Sequence, residues 1–155
     1  RQATMADIHI EEVYKDTAII LVQLYNAFPR KVTLYVEDIA GPDSPDEFGL
    51  HSRRHRACFS TMLWLAAEGH IRYDDTILQN AADQAVLTQT AFVCLNTPAR
   101  DGRLSPELMN RIPSSPEDAP PFIQSDMSTN IHLLRSALKD GNSSFLAEVV
   151  KAVLF

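Results

Sequence analysis

His51-Ser52-Arg53-Arg54-His55-Arg56-Ala57-Cys58-Phe59-Ser60-Thr61-Met62-Leu63-Trp64-Leu65-Ala66-Ala67-Glu68-Gly69-His70-Ile71-Arg72-Tyr73 is the stretch that decides the fold. A Ser precedes a run whose apolar members recur at helical spacing, a Gly follows it, and β-branched and aromatic residues come next. The stretch reads as a helix over 52–68 that runs directly into a strand. On a helical wheel His55, Cys58, Phe59, Met62, Leu65 and Ala66 share one side and form its core face. Arg53, Ala57, Ser60, Trp64 and Ala67 take the opposite side. Small residues around a large flat aromatic let another helix approach closely, so Trp64 is expected beneath the carboxy-terminal helices or a second subunit.

Working outward, Gly69 opens a hairpin. Its arms are expected at 70–78 and 85–88, with 79–84 between them, and Thr88 then caps a helix over 89–95. Helix remains an alternative at 76–88, because Ile77, Leu78, Ala81, Ala82, Ala85 and Val86 recur at i, i+1, i+4, i+5. Upstream, 11–28 is helical with an almost all-round apolar middle, which makes it central to the core; Pro29 ends it. Val32 is a one-bond strand, and Thr33 caps a short helix over 34–40 closed by Gly41. An acidic, Pro-containing loop, Gly41-Pro42-Asp43-Ser44-Pro45-Asp46-Glu47-Phe48-Gly49-Leu50, leads back to the opening stretch.

Beyond Leu95 lies a Pro-rich surface linker, 97–128, in which Ser105 caps a helical turn at 106–111. Residues 129–155 form a helical hairpin, with helices over 129–139 and 144–155. Phe145, Leu146, Val149, Val150, Val153, Leu154 and Phe155 line the last helix as a dense stripe. Two readings stand open for that stripe: packing on the core, or a seam between subunits.

The chain has 155 residues, 45% of them hydrophobic and 22% charged, which suits a soluble globular domain that folds without disulfides or metals. No apolar run approaches the roughly 20 residues of a membrane span, and no export signal is evident, so cytoplasmic localisation is expected. Cys58 and Cys94 read as separate buried thiols. Net charge is −6, unevenly distributed. Residues 1–50 carry nine acids against four bases, whereas 51–73 carry Arg53, Arg54, Arg56 and Arg72 against Glu68. Three of those Arg fall in the first turn of one helix, where they do not complement its dipole.

Enzymatic signatures are absent. His51, His55 and Cys58 lie at i, i+4 and i+7, a possible metal spacing, yet without a definite fourth ligand they read as a buried thiol beside an imidazole. Neither a metal nor a cofactor is expected. Nucleophile elbows, phosphate loops, HExxH and CxxC do not occur. Glu11-Glu12, Glu37-Asp38 and Asp74-Asp75 are sequence neighbours, which point apart and read as solvated surface.

Taken together, a helix with a basic first turn, a Gly, a hairpin and a Thr-capped helix over 11–96 resemble the winged helix-turn-helix superfamily. The expected fold class is α+β, mostly helical, with a two-stranded wing and carboxy-terminal helices. The resemblance implies a homodimeric transcriptional regulator that sets helix 52–68 in the major groove of duplex DNA. Arg53, Arg54 and Arg56 would then contact bases or phosphates and Arg72 a phosphate at the wing base. The alternative is a protein-interaction or dimerisation module that binds no DNA, with Trp64, Phe145, Val149, Val153 and Phe155 as its surface. An acidic loop in place of the short turn, and a wing without Lys or Arg between Tyr73 and Ala99, favour that alternative.

Overall fold

The computed structural model of the chain describes residues 5–98 and 129–154, the side chains of 5–9 excepted. It is an α+β fold in the order α1 (Met5–Ala27), β1 (Val32–Tyr35), α2 (Val36–Ala40), α3 (Arg53–Ala67), β2 (Ile71–Arg72), β3 (Asp75–Ile77), β4 (Ala81–Leu87) and α4 (Gln89–Leu95), with α5 (Asn130–Asp140) and α6 (Ser143–Leu154) after the undescribed segment. Phe155 and the expected turn at 106–111 lie outside the described residues.

β4 organises a four-stranded antiparallel sheet. On one edge Val32, Leu34 and Tyr35 of β1 pair with Ala85, Ala82 and Ala81. On the other, β2 and β3 are two pieces of one hairpin arm, with Ile71 opposite Leu87 and Thr76 opposite Ala82. Between Val32 and Leu34 the register slips, so that β4 carries one residue more than β1 over the same span. Gln84 absorbs that extra residue at φ 56. The bulge breaks strand alternation and buries Ala81, Ala82, Ala85 and Val86 together. Their i, i+1, i+4, i+5 spacing therefore belongs to a bulged strand and not to a helix.

The expected hairpin loop is also shorter than 79–84. Leu78 and Gln79 form a two-residue turn with φ of 48 and 59, closed by Asn80 N–H donating to the Ile77 carbonyl at 2.7 Å. Upstream, the one-bond strand at Val32 is a four-residue strand, and helix 34–40 begins only at Val36. Leu34 and Val36 are buried and Tyr35 is exposed, an alternation that selects strand over helix there. Thr33 is no cap: its hydroxyl donates to Asp83 Oδ1 at 3.1 Å and ties β1 to β4.

Ser52, Thr88 and Thr129 cap α3, α4 and α5, each accepting from the backbone N–H three residues on. Gly141, at φ 80, closes α5 in the left-handed conformation that glycine adopts without a Cβ clash. Ala18, Ile20, Leu21 and Leu24 place α1 at the centre, packed against α3, α5, α6 and β4. The α6 stripe faces that centre too: Phe145, Val149 and Val153 are 1%, 0% and 5% exposed. Burying a side chain of this kind contributes roughly 1.5–3 kcal/mol, and here it does so within one chain. As exposed interaction residues, Phe145, Val149 and Val153 are thus corrected, because α1 and α4 already cover them. Asn130 fastens the hairpin at its start, donating through Nδ2 to the Cys94 carbonyl at 2.8 Å and through its backbone N–H to the Thr97 carbonyl at 2.9 Å.

Candidate functional site

The described chain leaves one face of α3 uncovered beside the hairpin, and the residues there come from three elements. Ser52 sets the first turn of α3 by accepting from His55 N–H at 3.1 Å. Steps of four and three residues along the helix then bring Arg56, Ser60 and Leu63 to a common side. Facing them is the hairpin tip, where His55 and Gln79 meet. Together with Phe59 these residues line a hollow of about 280 Å³. Leu63 also lines a second hollow, of about 590 Å³, which continues along the helix past Ala66 and Ala67 to Lys31, Arg72 and Asp74. Leu63 stands between the two hollows, which lie in line along α3 and are together termed the groove. Leu63, in its lining, is 37% exposed, and two further apolar side chains outside the lining are exposed as well, Trp64 on α3 at 39% and Leu78 at the hairpin tip at 82%.

The four Arg separate. Arg54 is not on the outer face; its guanidinium grips Asp16 of α1 with two parallel bonds of 2.7 and 2.5 Å. Asp16 is fully buried, and its hydrogen bond raises the Arg54 pKa further, so this cation is committed to the core. Arg53 leans toward Glu12 at 3.8 Å. Arg56 and Arg72 are exposed, one at the start of the groove and one on the hairpin. No two-turn basic surface results. The hairpin itself contributes Asp74, Asp75 and Asp83, and the loop before α3 contributes Asp46 and Glu47.

That loop is built by its own hydrogen bonds. Asp46 Oδ1 accepts from the N–H groups of Phe48 and Leu50, both at 2.9 Å. The result holds Phe48 and Leu50 outward, 79% and 64% exposed. At its other end Asp43 Oδ1 accepts from the N–H groups of Ser44 and Ser52, at 2.8 and 3.0 Å. Asp43 Oδ2 meets His51 Nδ1 at 2.6 Å, and the His51 ring stacks on His55 with centroids 4.1 Å apart. The His51 bond, and then the Ser52 N–H, hold the Asp43 carboxyl far below the usual carboxylate range.

Cys58 takes no part in this cluster. Burial, with the Asp16 charge behind it, pushes its thiol up to about 12, so it is an inert core group. The residue that joins the two His is Asp43, which sequence spacing did not single out because it lies eight positions before His51 across Pro45 and the turn at Gly49. A carboxylate in a loop that returns to a helix start is the one signal that could have found it.

Set against family models, curated proteins and solved structures, the chain matches none of them. What it can do is therefore argued from its own geometry. Among the described residues no helix is long and apolar enough to cross a membrane.

Proposed function

We propose that this is a winged-helix domain that grips another protein, the groove between α3 and the hairpin being its docking surface. The element order α1–β1–α2–α3–β2/β3–β4, with β1 on the far edge of the hairpin, supports the winged-helix reading. One observation carries the choice of ligand class. Of the three Arg in the first turn of α3, Arg54 is spent on Asp16, and the third turn exposes the apolar Leu63 and Trp64, for which a DNA backbone offers no partner. The partner is a polypeptide segment with an apolar anchor for the Leu63–Leu78 region and acidic side chains beside it. Lys31, Arg56 and Arg72 line the groove against one carboxylate, Asp74. Cytoplasmic residence belongs to this same reading.

Exposed Arg53, Arg56 and Arg72 favour one rival, a homodimeric transcriptional regulator on duplex DNA. Photo-crosslinking residues at Leu63 and Leu78, with Glu148 on α6 as the control position, decide between them. The expected result is one adduct from both groove positions, absent from the control, whose crosslinked peptide is apolar with Asp or Glu neighbours. Adducts to a second copy of this chain, or duplex binding at low salt that Arg53→Ala/Arg56→Ala/Arg72→Ala abolishes, would overturn the proposal.

A further inference from the structure

The cluster at the start of α3 has the composition of a metal centre. One ligand atom each from Asp43, His51 and His55 falls within 4.8 Å of the others. Tetrahedral zinc, with bonds of about 2.0–2.1 Å, places its ligands roughly 3.3 Å apart. His55 Nδ1 is 3.7 Å from Asp43 Oδ2 and His51 Nδ1 is 2.6 Å from it; because the two rings stack 10° from parallel, their lone pairs meet at one ion only when the His51 ring, 24% exposed, turns out of the stack toward the shared point.

An independent observation comes from His55. Its side chain is 2% exposed, and Nε2 lies 2.9 Å from the Gln79 carbonyl, a pure acceptor, so Nε2 carries the proton. Nδ1 is buried and has no hydrogen-bond partner. If Nδ1 were protonated, 3.7 Å would still be too long for a hydrogen bond to Asp43. If it is not, a lone pair faces a carboxylate with nothing between them, an arrangement that a cation relieves. An imidazole whose far N–H is pinned by a backbone carbonyl is also how metal-ligating His is oriented. The carboxylate is likewise pinned, by Ser44 and Ser52 N–H on Oδ1, which leaves Oδ2 for the shared point.

We infer that Asp43 Oδ2, His51 Nδ1 and His55 Nδ1 bind one divalent cation of the zinc class, with water as the fourth ligand. Two imidazoles and one carboxylate select Zn²⁺ over Mg²⁺, which demands oxygen ligands. Binding at His51 Nδ1 requires that the neutral ring carry its proton on Nε2 instead, so the hydrogen bond to Asp43 is exchanged for the shared ion. The ion joins the acidic loop to α3 and, through His55 and Gln79, fixes the hairpin tip beside the groove. This inference stands apart from the docking proposal, since the ion would bind whatever occupies the groove.

Calorimetric titration of chelator-treated protein with ZnCl₂ tests it, with Co²⁺ absorption as the readout of geometry. One equivalent of zinc is expected, with tetrahedral Co²⁺ bands, no competition from equimolar Mg²⁺, and a raised melting temperature on loading. His51→Ala changes a side chain at the surface end of the cluster and keeps the fold by circular dichroism; it should weaken zinc binding at least roughly tenfold, as should Asp43→Asn. Equal zinc affinity in wild type and His51→Ala, or no binding to wild type, would overturn the assignment. Octahedral Co²⁺ bands would overturn the four-coordinate, zinc-class geometry.

Discussion

Replacing Arg54 by Ala isolates a carboxylate in the core. Asp16 has 1% of its side chain exposed and takes both guanidinium bonds, whereas Arg54 is 28% exposed. Breaking a buried pair by removing one partner costs about 3–5 kcal/mol, because the remaining charge has lost its counter-ion. The partial exposure of Arg54 admits water to the vacated space and points to the low end, about 3 kcal/mol. For a chain of this size that lowers the melting temperature by roughly 6–12 °C. Urea denaturation followed by circular dichroism reads the loss directly. A second variant, Asp16→Leu with Arg54→Met, fills the space without charge and should return to within about 1 kcal/mol of wild type. The reasoning fails if Arg54→Ala loses under about 1 kcal/mol, or if the double variant is no more stable than the single one. Arg56→Ala, at an exposed position of the same turn, should stay within about 0.5 kcal/mol of wild type.

The hairpin turn gives the opposite sign: Leu78→Asn with Gln79→Gly relieves two left-handed backbones and should stabilise by about 1–2 kcal/mol, seen as a higher urea midpoint at unchanged slope. Phe145→Ala should cost about 3–5 kcal/mol while leaving the sedimentation-derived mass per particle unchanged, since the ring packs within its own chain. Asp43 supplies a pH dependence. Its folded pKa lies below its unfolded value, near 4, so its stabilisation is present above about pH 4 and is lost as pH falls through the folded value. In the presence of chelator, the stability difference between wild type and Asp43→Asn should therefore close only on the acid side; a difference constant from neutral pH to the acid limb would refute this.

Helix existence was legible because capping and periodicity agree. Ser52, Thr88 and Thr129 each precede an apolar run, and each accepts the hydrogen bond that its position implies. The sheet was harder. Four alanines and valines around Gln84 mimic helical spacing because a bulge inserts one residue, and Leu78-Gln79 carries none of the Asn or Gly that announces a two-residue turn. Thr33 shows the limit of local chemistry: its hydroxyl has a better partner in Asp83, fifty residues away, than in a helix of five residues. The same limit governed the charged residues. Arg53, Arg54 and Arg56 are alike in sequence, and only the position of α1, with Glu12 and Asp16, decides which is committed. Asp43 belongs with His51 and His55 for a similar reason, since a loop's return path is set by its turns and not by spacing.

Pro98 and Thr129 are neighbours across an antiparallel bridge. The two residues that flank 99–128 are therefore held side by side, and the ends of that 30-residue stretch are already joined by the rest of the chain. Closing a loop costs entropy that grows as the logarithm of its length, and cutting this one to about three residues would recover about 2 kcal/mol. The domain is in this sense an insertion platform. Its two described pieces meet at Pro98 and Thr129, so a change in the length of chain between these residues leaves both anchors in place.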